Sequence, residues 1–69
     1  MERNNLKHWR IKKYLTQTQL SEILGITKSL VCMIEAGKAI ISIKFKQRII
    51  KEFGEEELFK ITGEANGYD

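Results

Sequence analysis

Apolar side chains recur every three or four residues along most of the chain, which is the spacing of an α-helix with one buried face. Glycines at positions 25, 37 and 54 interrupt this spacing and divide the chain into segments of helical length. At 38–42 the pair Ile40 and Ile41 breaks the helical spacing, but the run is too short to form a strand with a partner. The pattern therefore predicts an all-α fold of five short helices, which begin near Asn5, Thr16, Thr27, Ser42 and Glu55.

Residues that favour helix ends stand at the predicted boundaries. Thr16 is followed three residues later by Gln19, which is the spacing of a capping box that closes a helix N-terminus. Thr27 and Ser42 are N-cap residues of the same kind. Gly25 fits the left-handed position that follows a helix C-terminus, so only a few residues separate the second helix from the third.

The same spacing predicts which side chains form the core. The small Ser21 allows the second and third helices to cross closely, and the large Trp9 is predicted to be buried on the first helix. The apolar residues predicted to pack inside are Leu20, Leu24, Val31 and Ile34 between the second and third helices, Ile43, Ile49, Ile50 and Phe53 on the fourth, and Leu58, Phe59 and Ile61 on the fifth.

The segment 15–38 contains the most specific pattern in the chain. Two helices separated by a short turn with a glycine at the break form a helix-turn-helix. At these positions the sequence resembles the Cro/C1-type (XRE-like) helix-turn-helix regulators of phages and bacteria, over roughly Leu6 to Phe53. The residues that carry the resemblance are Leu15, Thr16, Gln17, Leu20, Ser21, Leu24, Gly25, Ile26, Thr27, Val31, Ile34, Glu35, Gly37 and Lys38.

The resemblance implies a fold and a function. It implies a compact five-helix, lambda-repressor-like DNA-binding domain at 1–62, followed by a flexible C-terminal tail at 63–69. The helix at 27–36 is expected to enter the major groove of double-stranded operator DNA. The chain is accordingly expected to be a cytoplasmic transcriptional repressor, prokaryotic or phage-encoded, that binds DNA as a dimer.

The resemblance also implies roles for individual residues. Base edges are expected to be contacted by Lys28, Ser29, Cys32 and Met33. DNA phosphates are expected to be contacted by Thr16, Gln17, Thr27, Lys38, Lys44 and Lys46. Arg10 and Glu35 match a pair that forms a salt bridge between the first and third helices, so their expected role is structural.

Elementary chemistry supports several of these roles but leaves alternatives open. Lys28 opposes the helix dipole, a cost that contact with a guanine or a phosphate compensates, although it could be an ordinary surface lysine. Gln17 lies among free backbone N–H groups that suit a phosphate, or it could simply start the helix. Met33 fits a thymine methyl group or an adaptable surface side chain, and the lysines from Lys38 onward could be solvated.

The outer side of the third helix departs from the family pattern. It is predicted to carry the apolar residues Leu30, Cys32 and Met33, and it holds no Arg, Gln or Asn for bidentate base reading. Exposed apolar groups often mark protein interfaces. A second hypothesis is therefore an antirepressor or protein-interaction module that binds another regulator through this face.

Composition and charge agree with a small nucleic-acid-binding domain. The chain has 69 residues, 42% of them hydrophobic and 30% charged, which is enough for one small globular domain. Its net charge of +3 divides into +8 over residues 1–51 and −5 over residues 52–69. A basic body of this kind indicates a polyanionic partner or, alternatively, solvated helix faces.

Several classes of function are disfavoured. One histidine and one cysteine, His8 and Cys32, cannot form a His/Cys metal cluster, and the chain has no glycine-rich phosphate loop. We therefore expect no enzyme activity, no metal and no cofactor. The sequence has no apolar run long enough to cross a membrane, and a lone cysteine suits a reducing cytosol.

Self-association is expected to be weak. In a chain of this length we expect no separate dimerisation domain, and we expect exposed apolar residues to supply the contact. The sequence suggests the last helix, with Leu58, Phe59 and Ile61, and the loop with Ile40 and Ile41.

Overall fold

The computed structural model describes residues 4–63, and within this range the chain forms five helices and no strand. The helices are α1 (Leu6–Lys12), α2 (Gln17–Leu24), α3 (Lys28–Glu35), α4 (Ile43–Phe53) and α5 (Glu55–Thr62). α2 packs on α3 and α4, α1 packs on α3 and α5, and α4 packs on α5. The prediction of an all-α, five-helix fold is confirmed.

Side-chain caps fix the starts of three helices. The Thr16 hydroxyl accepts from the Gln19 backbone N–H at 3.0 Å, and the Gln19 side chain accepts from the Thr16 N–H at 2.9 Å. This reciprocal pair is the predicted capping box. Thr27 accepts from the Leu30 N–H and Ser42 from the Phe45 N–H, which confirms both predicted N-caps.

The predicted apolar packing between α2 and α3 is confirmed. The side chains of Leu20, Leu24, Val31 and Ile34 are almost completely buried there. Trp9 is also buried, and its ring meets the ring of Phe53 edge to face at a centroid distance of 4.9 Å. The full set of buried apolar residues is Leu6, Trp9, Leu20, Leu24, Val31, Ile34, Ile41, Phe45, Ile49, Leu58 and Ile61.

The predicted buried face of α4 is partly wrong. Ile43 and Ile50 are 73% and 41% exposed, whereas Phe45 and Ile49 are buried and Phe53 packs against the core. Residues 45, 49 and 53 are four apart and form one stripe on a helix. The stripe with Ile43 and Ile50 has helical spacing too, but α4 docks on α2 and α5 through the other one.

Burial also corrects the predicted surface for self-association. Ile41, Leu58 and Ile61 belong to the protein's own core, so they cannot contact a second copy in this fold. Phe59 is half-buried, and Ile40 is 71% exposed. Of the suggested residues, Ile40 alone remains largely accessible.

The C-terminal boundary is described only in part. Gly63 ends α5 with a left-handed backbone, at a φ of 77°. The rest of the tail predicted at 63–69 lies outside the described residues. Between residues 4 and 63, none of the helices has the length and apolar character needed to span a membrane.

Candidate nucleic-acid interface

The turn between α2 and α3 is fixed by small residues and by backbone hydrogen bonds. Ser21 is buried where the two helices meet, and its hydroxyl donates to the Thr18 carbonyl at 2.7 Å. Gly25 has a φ of 69°, and the Ile26 N–H returns to the Ser21 carbonyl at 3.0 Å. This geometry joins α2 and α3 as a helix-turn-helix.

A side chain from α4 braces the same turn. Arg48 Nη1 donates to the Leu24 carbonyl at 3.0 Å, at the C-terminal end of α2. A guanidinium placed there satisfies an unpaired carbonyl and interacts favourably with the negative end of the helix dipole. α4 therefore stabilises the turn that orients α3.

Arg10 and Glu35 lie in contact between α1 and α3. Arg10 Nε donates to Glu35 Oε2 at 2.6 Å, and Arg10 Nη2 donates to Oε1 at 3.2 Å. Their side chains are 11% and 4% exposed, so the pair is buried rather than a surface ion pair. A bidentate, buried pair holds α1 against the helix that the sequence assigns to the major groove.

Gln17 joins this pair, an arrangement for which the sequence carries no signal. Its Nε2 donates to Glu35 Oε1 at 3.0 Å, which orients the Gln17 side chain at the start of α2. An amide nitrogen has two N–H groups and the amide oxygen is an acceptor, so the side chain keeps hydrogen-bonding capacity. Gln17 is half-buried at this position.

The exposed face of α3 is small and largely apolar. Of the residues expected to contact bases, Lys28, Ser29, Cys32 and Met33 are all exposed. Leu30 differs from the expectation, because it is half-buried and packs against the core. Ala36 just after α3 is exposed as well, so the outward face consists of Ser29, Cys32, Met33 and Ala36 with Lys28 at its N-terminal edge.

The residues expected to contact phosphates flank this face. Thr16 and Thr27 are exposed N-caps, and a hydroxyl that accepts a backbone N–H still has its own O–H to donate. Lys38 and Lys44 are exposed, and Lys46 is half-buried. Lys44 lines a small hollow of about 120 Å³ together with Gly25 and Ile26 of the helix-turn-helix turn.

The N-terminus of α2 opens on a shallow concavity, which Lys28 of α3 also lines. It has a volume of about 520 Å³ and is lined by Arg10, Ile11, Tyr14, Leu15, Thr16, Gln17, Thr18 and Lys28. No carboxylate is among these lining residues, and the first turns of α2 and α3 contain no acidic residue. The positive end of α2, hydroxyl donors and a lysine therefore face the same space, which favours an anion.

Carboxylates collect instead at the start of α5. The run Glu55, Glu56 and Glu57 forms its first turn, as the sequence predicts for a helix start. Glu57 accepts from Trp9 Nε1 at 2.9 Å, and the ammonium groups of Lys13 and Lys60 lie 3.0 and 3.1 Å from its carboxylate.

These hydrogen bonds favour the ionised form of Glu57. The bond from the Trp9 indole, followed by those from Lys13 and Lys60, lowers the pKa of Glu57 from 4.5 to about 2. This carboxylate is thus committed to joining α1 and α5. Among the described residues, no group of three or more His, Cys, Asp and Glu side chains could hold a metal ion.

Comparison with known proteins points in the same direction as the geometry. A family model described as helix-turn-helix matches residues 6–60. An uncharacterised HTH-type transcriptional regulator from Methanocaldococcus jannaschii is 38% identical over 52 residues, which cover 75% of this chain and 79% of that relative. No solved structure matches the chain. The span matched by the family model contains α1 to α4 and every candidate contact residue described above.

Proposed function

This chain belongs to the Cro/C1-type helix-turn-helix family, and from that premise we propose that it is a DNA-binding regulator of transcription. In its finer form, the proposal is a sequence-specific repressor that binds operator DNA as a dimer, with α3 in the major groove. It acts by binding rather than by catalysis, in the cytoplasm of a prokaryotic cell.

The observation that carries this proposal is the concavity at the N-terminus of α2, which Lys28 of α3 also lines. A DNA phosphate placed there meets the hydroxyls of Thr16 and Thr18 and the ammonium group of Lys28. It meets no carboxylate among the lining residues. Contacts of this kind fix the position of a protein on the duplex and supply much of its affinity.

The outward face of α3 suits the major groove in size. The groove admits an α-helix, and Ser29, Cys32 and Ala36 allow α3 to approach the base edges closely. Lys28 then reaches a guanine or a neighbouring phosphate, and Met33 reaches a thymine methyl group. Base reading in this proposal depends on few hydrogen bonds, so backbone contacts supply a large share of the affinity.

Dimerisation in this proposal uses the apolar residues that the fold leaves outside. Ile40, Ile43 and Ile50 are exposed on α4 and on the loop before it. The α3 helices of the two copies must lie about 34 Å apart to enter successive major grooves on one face of the DNA. With so few apolar side chains available, we expect two copies to associate mainly on the DNA.

Selection of bound duplexes from a random DNA pool tests the proposal. We expect an enriched, roughly palindromic sequence that binds two copies. Lys28→Ala is expected to cost about 1–3 kcal/mol on that duplex and to relax the preference at one position. Lys38→Ala is expected to weaken binding to all DNA sequences similarly. It is also expected to reduce the slope of log K against log salt concentration, the salt slope, by about 1.

A matched control comes from the opposite side of α1. Lys12 is exposed and lies beside Lys60 of α5, away from the concavity, so Lys12→Ala removes one positive charge without touching the proposed interface. Its binding is expected to change much less than that of Lys28→Ala. Equal and uniform losses in all three variants would contradict the role of Lys28 as a base reader.

The apolar face of α3 favours a second candidate function. Cys32, Met33 and Ala36 are exposed side by side, and they offer no bidentate partner to a base. The same face could bind another regulator, as an antirepressor does. If the random pool yields no enriched duplex at low salt, the protein-interaction module becomes the better account.

A further inference from the structure

Tyr14 holds an unusual backbone conformation between α1 and α2. Its φ is 60°, and among the described residues it is the one non-glycine position with a positive φ. The turn is closed by the Tyr14 N–H to the Ile11 carbonyl at 2.9 Å and by the Leu15 N–H to the Arg10 carbonyl at 3.2 Å. A left-handed backbone is costly for a side chain with a Cβ and nearly free for glycine.

Nothing in the core accounts for a tyrosine at this position. Its surface is 93% exposed, and the neighbouring Ile11 is 53% exposed. Both side chains line the concavity at the N-terminus of α2, together with Thr16 and Lys28. An aromatic ring and an aliphatic side chain thus stand in water at the edge of the proposed phosphate contacts.

We propose that Tyr14 and Ile11 form a further DNA contact, in which the sugar–phosphate backbone of one strand lies across the concavity. The Tyr14 hydroxyl donates to a phosphate oxygen, and the ring and Ile11 pack against a deoxyribose. This inference rests on the proposed function and extends its footprint beyond the major groove. Tyr14 supplies affinity without a preference for base sequence.

The chemistry of the concavity matches this occupant. A DNA strand combines anionic phosphates with apolar sugars, and the lining combines hydrogen-bond donors with apolar side chains. Lys28 and the positive end of α2 complement the phosphate charge, with no carboxylate among the lining residues. The same surface includes Thr16 and Thr18, whose hydroxyls already contact a DNA phosphate in the proposed function.

Two substitutions at Tyr14 test the contact on the duplex that the wild type selects. Tyr14→Gly removes the ring and relieves the backbone, so we expect about tenfold weaker binding. The same variant is expected to melt about 2–5 °C higher. Tyr14→Phe removes only the hydroxyl and is expected to weaken binding about threefold to tenfold. Neither variant should change the salt slope, because neither removes a positive charge.

The control is His8→Ala, which alters an exposed residue on the α5 side of the same helix. Its binding is expected to stay within about twofold of the wild type, because no phosphate contact is lost. Wild-type affinity in Tyr14→Gly overturns the inference and leaves the proposed function standing. If Tyr14→Gly weakens binding but Tyr14→Phe binds as tightly as the wild type, the proposed hydrogen bond from the hydroxyl to a phosphate is wrong. Failure of the wild type to bind any duplex overturns the proposed function itself.

Discussion

Glu35 shows how one side chain supports both the fold and the proposed interface. Its carboxylate accepts hydrogen bonds from Arg10 on α1 and from Gln17 on α2, while its own backbone belongs to α3. Three helices therefore meet at one buried anion. The position of Gln17 at the concavity depends on this anion, so a loss at Glu35 reaches the DNA-binding face as well as the core.

Glu35→Ala tests this role. The substitution leaves the Arg10 guanidinium buried without its counter-charge, which costs about 3–5 kcal/mol in the free energy of unfolding. Urea denaturation followed by the fluorescence of the single tryptophan, Trp9, measures the loss. Glu22→Ala on the exposed side of α2 is the control and should cost less than about 0.5 kcal/mol. A loss at Glu35 below about 1 kcal/mol would show that the pair acts as a surface salt bridge.

Glu57 makes stability depend on pH. Its pKa is about 2 in the folded protein and about 4.5 in an unfolded chain, so the unfolded state takes up the proton first as the pH falls. The stabilising contribution is complete above pH 4.5 and is lost progressively as the pH falls towards 2. At neutral pH we expect Glu57→Gln to be about 2 kcal/mol less stable than the wild type.

Thermal melts of the wild type and of Glu57→Gln at several pH values check the sign. The difference between their melting temperatures should shrink as the pH falls from 5 towards 2, because the wild type then loses the same charge. Trp9 fluorescence emission reports protonation of Glu57 directly, since the Trp9 indole N–H donates to the Glu57 carboxylate. A difference that stays constant over this range would mean that the carboxylate charge contributes nothing to stability.

Among the elements, the start of α4 could be predicted from the sequence, but its buried face could not. The helix starts were predictable because a cap is local: Thr16, Thr27 and Ser42 each bond to a backbone N–H three residues away. The buried face of α4 was not, because two apolar stripes both have helical spacing. The stripe with Phe45 and Ile49 is buried because α4 packs on α2 and α5 through it. This packing depends on tertiary contacts, which the spacing within α4 does not encode.

Around the candidate site, too, local features could be predicted from the sequence and tertiary contacts could not. The helix-turn-helix and its exposed lysines could be predicted, since they follow from local spacing. The bond from Gln17 to Glu35 joins residues 18 positions apart, and it depends on how closely α2 and α3 approach each other. The left-handed backbone at Tyr14 was also unpredictable, because tyrosine is not a residue that favours it.

The turn between α2 and α3 is expected to require glycine for two reasons. At Gly25 the φ is 69°, and an added Cβ would lie 2.7 Å from Arg48 Nη1. Arg48 could move aside, but it would then lose its bond to the Leu24 carbonyl. We therefore expect Gly25→Ala to lower the free energy of unfolding by about 2–3 kcal/mol, the sum of backbone strain and a lost cap.

Gly63→Ala is the matched control for this turn. Gly63 has a similar φ of 77°, but nothing lies within 4 Å of an added Cβ. Its substitution therefore measures the backbone strain alone, at about 1–2 kcal/mol. Chemical denaturation of both variants gives the comparison. If Gly63→Ala costs as much as Gly25→Ala, the contact with Arg48 contributes nothing to the turn.

At the scale of the whole molecule, the basic surface and the main cluster of carboxylates lie on different elements. The basic N-terminal body carries the concavity and the outer face of α3, and three carboxylates lie at the start of α5. Among the lysines and arginines of the body, Arg10 and Lys13 are already paired with carboxylates, whereas Lys28 and Lys38 are exposed beside the outward face of α3. The net charge of +3 therefore understates the positive surface available to DNA.

The most direct test of the central claim is the affinity of the wild type for duplex DNA as a function of salt. Fluorescence anisotropy would compare a selected duplex with a random one between about 50 and 200 mM salt. We predict tighter binding of the selected duplex and a linear fall of log K with log salt, with a slope of about −3 to −5 per copy for a handful of neutralised phosphates. Equal affinity for both duplexes, or no binding at about 50 mM salt, would contradict a sequence-reading DNA interface on α2 and α3.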